Sequence, residues 1–378
     1  MKKPLKRYLS SYLLKDLKSK ILVITGARQS GKTTLSKHLG LAFDYLNYDN
    51  RKHHKILIER SWDREKKYII FDELHKKKHW KRWLKGIYDT EGLPPGMIVT
   101  GSARLDTYKR MGDSLAGRFF HFRLHPFDVK EIVNLNLAKP EIALNQLLEF
   151  GGFPEPFLEA KTSFYGKWKK TQLDVILKQD LISLENVKSL SSIETLVQLL
   201  RDRVGSPLSY VSLAEDLNCS PKTVKNWLQI LENLYVIFKI NPWHKNIARS
   251  LVKAPKYYFY DTAQVRGSSL RLENLLACTL LKEIHFRADV QGQDYELFYL
   301  RNKDKKEVDF LIVKDRIPLC MLELKSSKDT LSDGLNLFLR QLKNVKAIQL
   351  VQNLEREKTF PNGAEIRKAS SWLSKVSF

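Results

Sequence analysis

The segment of residues 26–33, read GARQSGKT, constrains this chain more than any other stretch. It follows an apolar run at residues 21–24 and leads into helix-compatible residues 35–39, so the spacing G-x-x-x-x-G-K-T falls between a strand and a helix. The glycines allow backbone N–H groups to turn towards phosphate oxygens, and the helix N-terminus adds its positive end to the same place. The segment is therefore predicted to be a phosphate-binding loop, or P-loop.

Individual side chains of this loop have separate expected roles. Lys32 is expected to reach the β- and γ-phosphates of a nucleotide, and the Thr33 hydroxyl is expected to ligate Mg²⁺. The predicted ATP-binding residues are Gly26, Ala27, Arg28, Gln29, Ser30, Gly31, Lys32, Thr33 and Thr34. The pattern thus predicts ATP and Mg²⁺ as cofactors.

Further apolar stretches at residues 42–47, 68–71 and 97–100 alternate with helical segments. Such alternation predicts an α/β fold with a parallel sheet and functional groups at the carboxyl ends of its strands. The stretch YIIFDE delivers two adjacent carboxylates to a strand tip. Asp72 is expected to hold the Mg²⁺ shell, and Glu73 to orient and activate the attacking water.

Two other polar residues are candidates for the same reaction. Ser102 ends the fourth stretch, where its hydroxyl would contact the γ-phosphate or the water; an ordinary strand-ending turn is the alternative. Arg118, in SLAGRFF, would stabilise transition-state charge on the nucleotide of a neighbouring subunit. A solvated or ion-paired arginine is the alternative for Arg118.

Five motifs in series resemble one protein family. GARQSGKTT, YIIFDELH, VTGSARL, LAGRFFHFRLHPFDVKEI and GGFPEP, in this order, resemble the prokaryotic AAA-superfamily ATPases that carry a C-terminal domain of uncharacterised function. The resemblance covers nearly the whole chain. It implies an AAA-type nucleotide domain with Mg-ATP, a helical lid over residues 164–184, and assembly into a homo-oligomer, but it supplies no substrate.

The charge balance points to a polyanionic partner. The 378 residues include 65 Lys and Arg against 42 Asp and Glu, a formal net charge of +23. Such an excess favours nucleic acid through phosphate contacts, and a solvated lysine-rich surface is the alternative. The basic stretch HKKKHWKRWLK has the same two interpretations, with its tryptophans favoured as core residues.

Composition also indicates a cytoplasmic protein without membrane contact. No apolar run approaches the roughly 20 residues that span a bilayer. The basic first 20 residues lack the apolar core and cleavage site of a secretory signal. Cys219, Cys278 and Cys320 are too widely separated to indicate a disulfide framework or a zinc site.

A winged helix is predicted after residue 190. The stretch VSLAEDLN and the stretch PKTVKNWLQILENL form two short helices joined by a tight turn, with Ser220 as the N-cap and Pro221 at the first helical position. YVIFKINPW supplies a strand for the wing. Lys222, Lys225 and Asn226 are the predicted DNA-binding residues, and protein docking is the alternative use of such a module.

The last part of the chain resembles the PD-(D/E)xK nuclease fold. Asp309, Glu323 and Lys325 match its D…ExK positions, and Glu273 on the preceding helix would complete a metal shell. Carboxylates that hold a second divalent metal and an ammonium that activates water suit phosphodiester cleavage. An exposed strand face of alternating charges is the alternative, and a shared fold does not establish activity.

These observations predict four domains. The expected boundaries are 1–130 for the P-loop domain, 131–190 for the helical lid, 191–246 for the winged helix and 247–378 for the nuclease-like domain. The function they favour is an Mg-dependent ATPase coupled to DNA engagement. The alternatives are an ATP-dependent, metal-requiring nuclease and a nucleotide-gated signalling or protein-remodelling switch without nucleic acid.

Overall fold

The structure, a computed structural model, describes residues 5–101, 115–177, 190–244, 254–327, 330–376 and 378. Ser102 is thus outside the described residues. The chain divides into two compact units. One comprises Met1–Pro126 and Asn233–Tyr235, and the other comprises Phe127–Glu232 and Val236–Phe378.

The first unit is built on a five-stranded parallel sheet. Its strands are β1 (Ile21–Thr25), β2 (Phe43–Asn47), β3 (Tyr68–Asp72), β4 (Gly96–Thr100) and β5 (Phe119–Arg123). Its helices are α1 (Ser10–Asp16), α2 (Lys32–Lys37), α3 (Arg51–Glu59) and α4 (Trp80–Glu91). The strands lie in the order β2-β3-β4-β1-β5, and every neighbouring pair is parallel. The predicted α/β fold with a parallel sheet is confirmed.

Burial explains which strands the sequence reveals. β1, β3 and β4 are buried along their whole length, and strands covered on both faces read as continuous apolar runs. β5 was not predicted as a strand. It lies at the edge of the sheet with Phe120 41% exposed, so its sequence carries a weaker apolar pattern.

The basic stretch at residues 75–85 contributes to the core of this unit. Trp80 and Leu84 of α4 are buried, and the Trp83 ring meets those of Trp62 and Phe71 edge to face at 5.9 and 5.7 Å between centroids. Such pairs add specific attraction to the apolar burial. The favoured interpretation of the tryptophans as core residues is confirmed.

The second unit begins with helices. They are α5 (Val129–Asn134), α6 (Pro140–Phe150), α7 (Pro154–Glu159), α8 (Thr162–Val175), α9 (Leu190–Arg201), α10 (Tyr210–Asp216) and α11 (Pro221–Asn233). Residues 164–175 of the predicted lid are helical, and residues 178–189 lie outside the described range. α11 begins at Pro221 as predicted, and the Ser220 hydroxyl accepts the Thr223 N–H at 3.1 Å as its cap.

A mixed eight-stranded sheet forms the rest of this unit. Its strands are β6 (Ile237–Pro242), β7 (Lys256–Phe259), β8 (Tyr295–Arg301), β9 (Glu307–Lys314), β10 (Ile317–Lys325), β11 (Lys346–Val351), β12 (Lys358–Thr359) and β13 (Glu365–Lys368). The accompanying helices are α12 (Ser268–Gln291), α13 (Asp333–Gln341) and α14 (Ala369–Leu373). The strand order is β12-β13-β11-β10-β9-β8-β6-β7. The predicted C-terminal α/β arrangement is confirmed.

Among the described residues, no helix combines the length and the apolar character needed to cross a membrane.

Candidate functional site

The predicted phosphate-binding loop joins the end of β1 to the start of α2. Gly26 (φ 146°), Gln29 (φ 64°) and Gly31 (φ 96°) have positive φ, which glycine adopts most easily. A Cβ added to Gly26 would lie 2.2 Å from the carbonyl oxygen of Leu124, next to the end of β5. Both the backbone conformation and the close approach of a neighbouring strand therefore require glycine at this position.

The loop gathers polar groups around its inner side. Lys32 is buried, and its ammonium donates to the carbonyl oxygens of Gly26 (2.9 Å) and Ala27 (2.8 Å). The Ser30 hydroxyl is buried and has no hydrogen-bond partner among the described residues, while the Ser30 carbonyl accepts from Arg7 at 2.8 Å. An ammonium held at the loop and an unsatisfied buried hydroxyl fit a phosphate group, because they supply donors that phosphate oxygens accept.

Three hydroxyl groups converge on the carboxylate at the tip of β3. Thr33 Oγ1 donates to Asp72 Oδ2 at 3.1 Å, and Tyr45 OH donates to the same oxygen at 2.8 Å. Thr100 Oγ1, on the neighbouring strand β4, donates to Asp72 Oδ1. The structure therefore brings together Thr33 and Asp72, the two predicted metal residues. A hydroxyl and a carboxylate are oxygen ligands of the kind that Mg²⁺ takes, so this pair fits the ion.

Glu73 stands beside this pair in a left-handed backbone conformation, φ 56°. Such a conformation is strained for a non-glycine residue and is common at functional sites. Its carboxylate lies 3.5 Å from Lys76 Nζ and 3.7 Å from His75 Nε2. Burial raises the pKa of Glu73, Lys76 opposes the rise, and the adjacent Asp72 adds to it. A carboxyl group with a raised pKa is a stronger base, as water activation requires.

Ser102 and Arg118 are the other two candidate catalytic residues. Ser102 lies outside the described residues. Arg118 precedes β5, and its carbonyl oxygen accepts the N–H of Ile21 at the start of β1, so Arg118 lies at the opposite end of the sheet from the P-loop of its own chain. Its guanidinium donates to both carboxylate oxygens of Asp89, at 2.6 and 3.2 Å. Arg118 is therefore an intramolecular ion-pair residue in this structure.

Sequence reasoning missed Tyr45. This residue is the central one of the five in β2, beside β3, and Asn47 donates to its hydroxyl at 3.3 Å. The Lys37 ammonium lies 3.3 Å from the centre of its ring. Burial raises the pKa of Tyr45 to about 12, so the hydroxyl stays a donor at neutral pH. The sequence carried only a weak signal, a hydroxyl-bearing residue two positions before the end of β2, because functional groups in parallel sheets lie at the carboxyl ends of strands.

The nuclease-like residues lie close together in the second unit. They are Glu273 on α12, Asp309 on β9, and Glu323 and Lys325 on β10. Lys325 Nζ lies 2.7 Å from Glu323 Oε1, and Asp309 Oδ2 accepts the N–H of Leu324 at 2.8 Å. Burial raises the pKa of Asp309, and Glu273 and Glu323 raise it further while Lys256 opposes the rise.

The predicted second metal would have to be held by these side chains. Among the described residues, no group of three or more His, Cys, Asp or Glu side chains is arranged to hold a metal ion. Lys256, which the sequence analysis did not single out, lies among the carboxylates with its side chain 1% exposed. The available signal was a lysine next to three aromatic residues in the strand KYYF. An aromatic strand is expected to be buried, and a charge is seldom buried without a partner.

Lys222, Lys225 and Asn226 lie together on α11. All three side chains are exposed, while Val224 and Leu228 of the same helix are fully buried. Within the described part of the chain, neither lysine forms an ion pair. No ion pair within this part of the chain therefore neutralises the two exposed ammonium groups.

Comparison with known families agrees with this geometry. The loop, the acidic strand tip and the parallel sheet define a P-loop protein of the nucleotide-binding class. Residues 18–133 match the model described as AAA domain, residues 141–273 match Domain of unknown function (DUF8612), and residues 272–368 match Domain of unknown function (DUF4143). The chain carries an AAA domain of the P-loop ATPase superfamily at its N-terminal end and a DUF4143 domain at its C-terminal end, and the resemblance drawn from its motifs is confirmed.

Curated relatives share much of this organisation. An uncharacterized protein of Methanocaldococcus jannaschii is 26% identical over 344 residues, which cover 81% of this chain and 76% of the relative. An uncharacterized protein of Haemophilus influenzae is 23% identical and covers 93% of this chain and 94% of its own length. For an uncharacterized protein of Mycobacterium tuberculosis, 25% identical, this chain spans about half of the relative's length, 54%. None of the three names supplies an activity.

Proposed function

We propose that this protein is an Mg²⁺-dependent ATPase that couples ATP binding and hydrolysis to the engagement of DNA. The observation that carries the proposal is the contact between the Thr33 hydroxyl and the Asp72 carboxylate, with Glu73 next to it at the strand tip. A hydroxyl, a carboxylate and a base at the mouth of a phosphate-binding loop are the parts that phosphoryl transfer to water needs.

Each residue of the P-loop site has a separate expected role in hydrolysis. Bound Mg-ATP would supply the transferable phosphoryl group and neutralise its developing charge. Lys32 would exchange its loop carbonyl partners for phosphate oxygens, because charge-assisted contacts to phosphate are stronger. Thr33 and Asp72 would hold the ion, and Glu73 would accept the proton of the attacking water. Homo-oligomer assembly belongs to this proposal through the family resemblance, and a cytoplasmic location belongs to it through the composition of the chain.

DNA is the partner that the second unit favours. The pair α10 and α11, the cap at Ser220 and the antiparallel strands β6 and β7 support a winged-helix interpretation of this region. The chain as a whole carries a formal net charge of +23. A capped helix whose exposed lysines form no ion pair with the described residues, in a strongly basic protein, suits phosphate contacts.

A side-by-side ATPase assay tests the coupling. Wild-type protein and Lys32→Ala are compared with and without duplex DNA and with single-stranded RNA. We expect DNA to change the wild-type rate and to leave the Lys32→Ala rate at background. Wild-type hydrolysis that no nucleic acid changes would instead favour a nucleotide-gated switch acting on proteins.

Removing the charge of Lys222 and Lys225 is expected to weaken DNA binding. For Lys222→Ala with Lys225→Ala, the slope of log affinity against log salt should fall by about two, because each lost phosphate contact lowers it by about one. Fluorescence anisotropy with labelled duplex DNA between low and moderate salt measures this slope. The matched control is Lys167→Ala with Lys170→Ala, which removes two exposed lysines from α8. Equal slopes for both double variants would show that α11 does not contact phosphate.

Tyr45→Phe is expected to raise the Mg²⁺ concentration that gives half-maximal ATPase activity roughly tenfold, since partners of metal-binding carboxylates tune metal affinity. The lost hydroxyl holds Asp72 Oδ2, the oxygen that Thr33 also contacts. Saturating Mg²⁺ should restore kcat, which separates positioning from structural damage. The control is Tyr48→Phe, because the Tyr48 hydroxyl makes no hydrogen bond within the described residues. An unchanged Mg²⁺ dependence in an active enzyme would exclude this role for Tyr45.

A further inference from the structure

The carboxylate cluster of the C-terminal domain contains a cation supplied by the chain itself. The cluster consists of the carboxyl groups of Glu273, Glu307, Asp309 and Glu323. Lys256 Nζ lies 2.5 Å from Glu307 Oε1 and 3.6 Å from Glu273 Oε1. The ammonium is thus shared between two carboxylates, one on β9 and one on α12, in a place that solvent does not reach.

Lys256 is held there by opposite charges. Its side chain is 1% exposed, and the carboxylates of Glu307 and Glu273 are its ion-pair partners. A buried charge is stable only when opposite charges surround it. The two carboxylates and the ammonium therefore depend on one another.

Both oxygens of Glu323 and one oxygen of Asp309 also have partners. For Glu323, Lys325 Nζ lies 2.7 Å from Oε1 and the Ser332 hydroxyl donates to Oε2. Asp309 Oδ2 accepts the Leu324 N–H at 2.8 Å. A divalent cation that used Glu323 as a ligand would compete with the contacts of Lys325 and Ser332.

The charge balance of the cluster also argues against a bound divalent cation. Lys256, Lys325 and Arg301, whose guanidinium lies 2.8 Å from Glu307 Oε2, supply three positive charges. The four carboxylates supply at most four negative charges, which leaves an excess of one. A divalent cation would make the cluster net positive and would lie near the buried Lys256 ammonium, and like charges repel strongly where solvent is excluded.

We propose that the Lys256 ammonium takes the place of the divalent cation in this nuclease-like site, so that the C-terminal domain performs no metal-dependent phosphodiester cleavage. The inference concerns the second unit alone and does not depend on the proposed ATPase. It assigns the cluster to holding α12, β7, β9 and β10 together rather than to chemistry.

Manganese binding tests the proposal directly. Wild type and Asp309→Asn are titrated with Mn²⁺ without nucleotide, and free Mn²⁺ is measured by electron paramagnetic resonance, so that any binding at the P-loop cancels in the comparison. We expect identical titrations, and no cleavage of linear DNA or RNA with Mg²⁺ or Mn²⁺. Mn²⁺ binding or strand cleavage that wild type shows and Asp309→Asn loses would overturn the proposal.

Mn²⁺ binding by the variant Lys256→Gln is a complementary test of the proposal. Without the ammonium, the carboxylates should gain Mn²⁺ affinity by at least about tenfold, a gain that Asp309→Asn in the same chain should abolish. Lys346→Gln is the matched control, because it removes a lysine from β11 of the same sheet that is ion-paired with Glu365. A folded Lys256→Gln protein with no gain of Mn²⁺ would contradict the role given to Lys256. Should this variant fail to fold, the comparison of wild type with Asp309→Asn still decides the proposal.

Discussion

Replacing Glu73 with glutamine is expected to lower the rate of ATP hydrolysis by roughly 100-fold or more, the contribution typical of a positioned general base. Glutamine keeps the size and hydrogen-bonding shape of the side chain but cannot accept the proton of the attacking water. Glu73 is suited to that step by its raised pKa and by its position next to Asp72. ATP binding should stay close to that of wild type, because Glu73 acts on the water and not on the phosphates.

Two measurements separate these effects. Steady-state phosphate release gives the rate, and titration with a fluorescent ATP analogue gives the affinity. Glu65→Gln is the matched control, since Glu65 is an exposed glutamate that lies before β3. Unchanged turnover in Glu73→Gln would remove Glu73 from the mechanism. Loss of analogue binding would instead show that the side chain supports the site rather than the reaction.

Lys32→Ala is expected to weaken ATP binding by roughly 10- to 100-fold, because hydrogen bonds to charged groups contribute about 1.5–3 kcal/mol each. Hydrolysis should fall to background at ordinary ATP concentrations. The buried ammonium of Lys32 also holds the carbonyl oxygens of Gly26 and Ala27, so the loop itself needs checking by thermal unfolding. Lys52→Ala, an exposed lysine of α3, serves as the control. Wild-type affinity in a folded Lys32→Ala protein would contradict the phosphate-binding role of this loop.

Local sequence patterns predicted most of the first unit and the start of one helix in the second unit. The P-loop, the strand ending in Asp72 and the cap at Ser220 are each read from a few consecutive residues, because glycine conformation, strand hydrophobicity and helix capping are short-range effects. β5 was not predicted from the sequence because it is an edge strand with an exposed Phe120, and its apolar pattern is correspondingly weak.

Long-range packing determined the positions of the residues that the sequence did not place. Tyr45 reaches Asp72 because β2 pairs with β3 in a register that places Asn47 opposite Asp72, and no pattern within β2 specifies that register. Arg118 lies at the far end of the sheet from the P-loop because β5 runs parallel to β1. A position in the sequence gives a residue's type, whereas the direction and pairing of strands give its neighbours.

The sequence by itself determined that this chain has a phosphate-binding loop, an acidic strand tip and a capped basic helix, since each is encoded by adjacent residues. Only the tertiary structure placed Lys256 among the carboxylates of Glu273, Glu307 and Asp309. The four residues come from three elements, β7, α12 and β9, and their interaction is electrostatic, so it depends on distance in space and on burial. Sequence order records neither quantity.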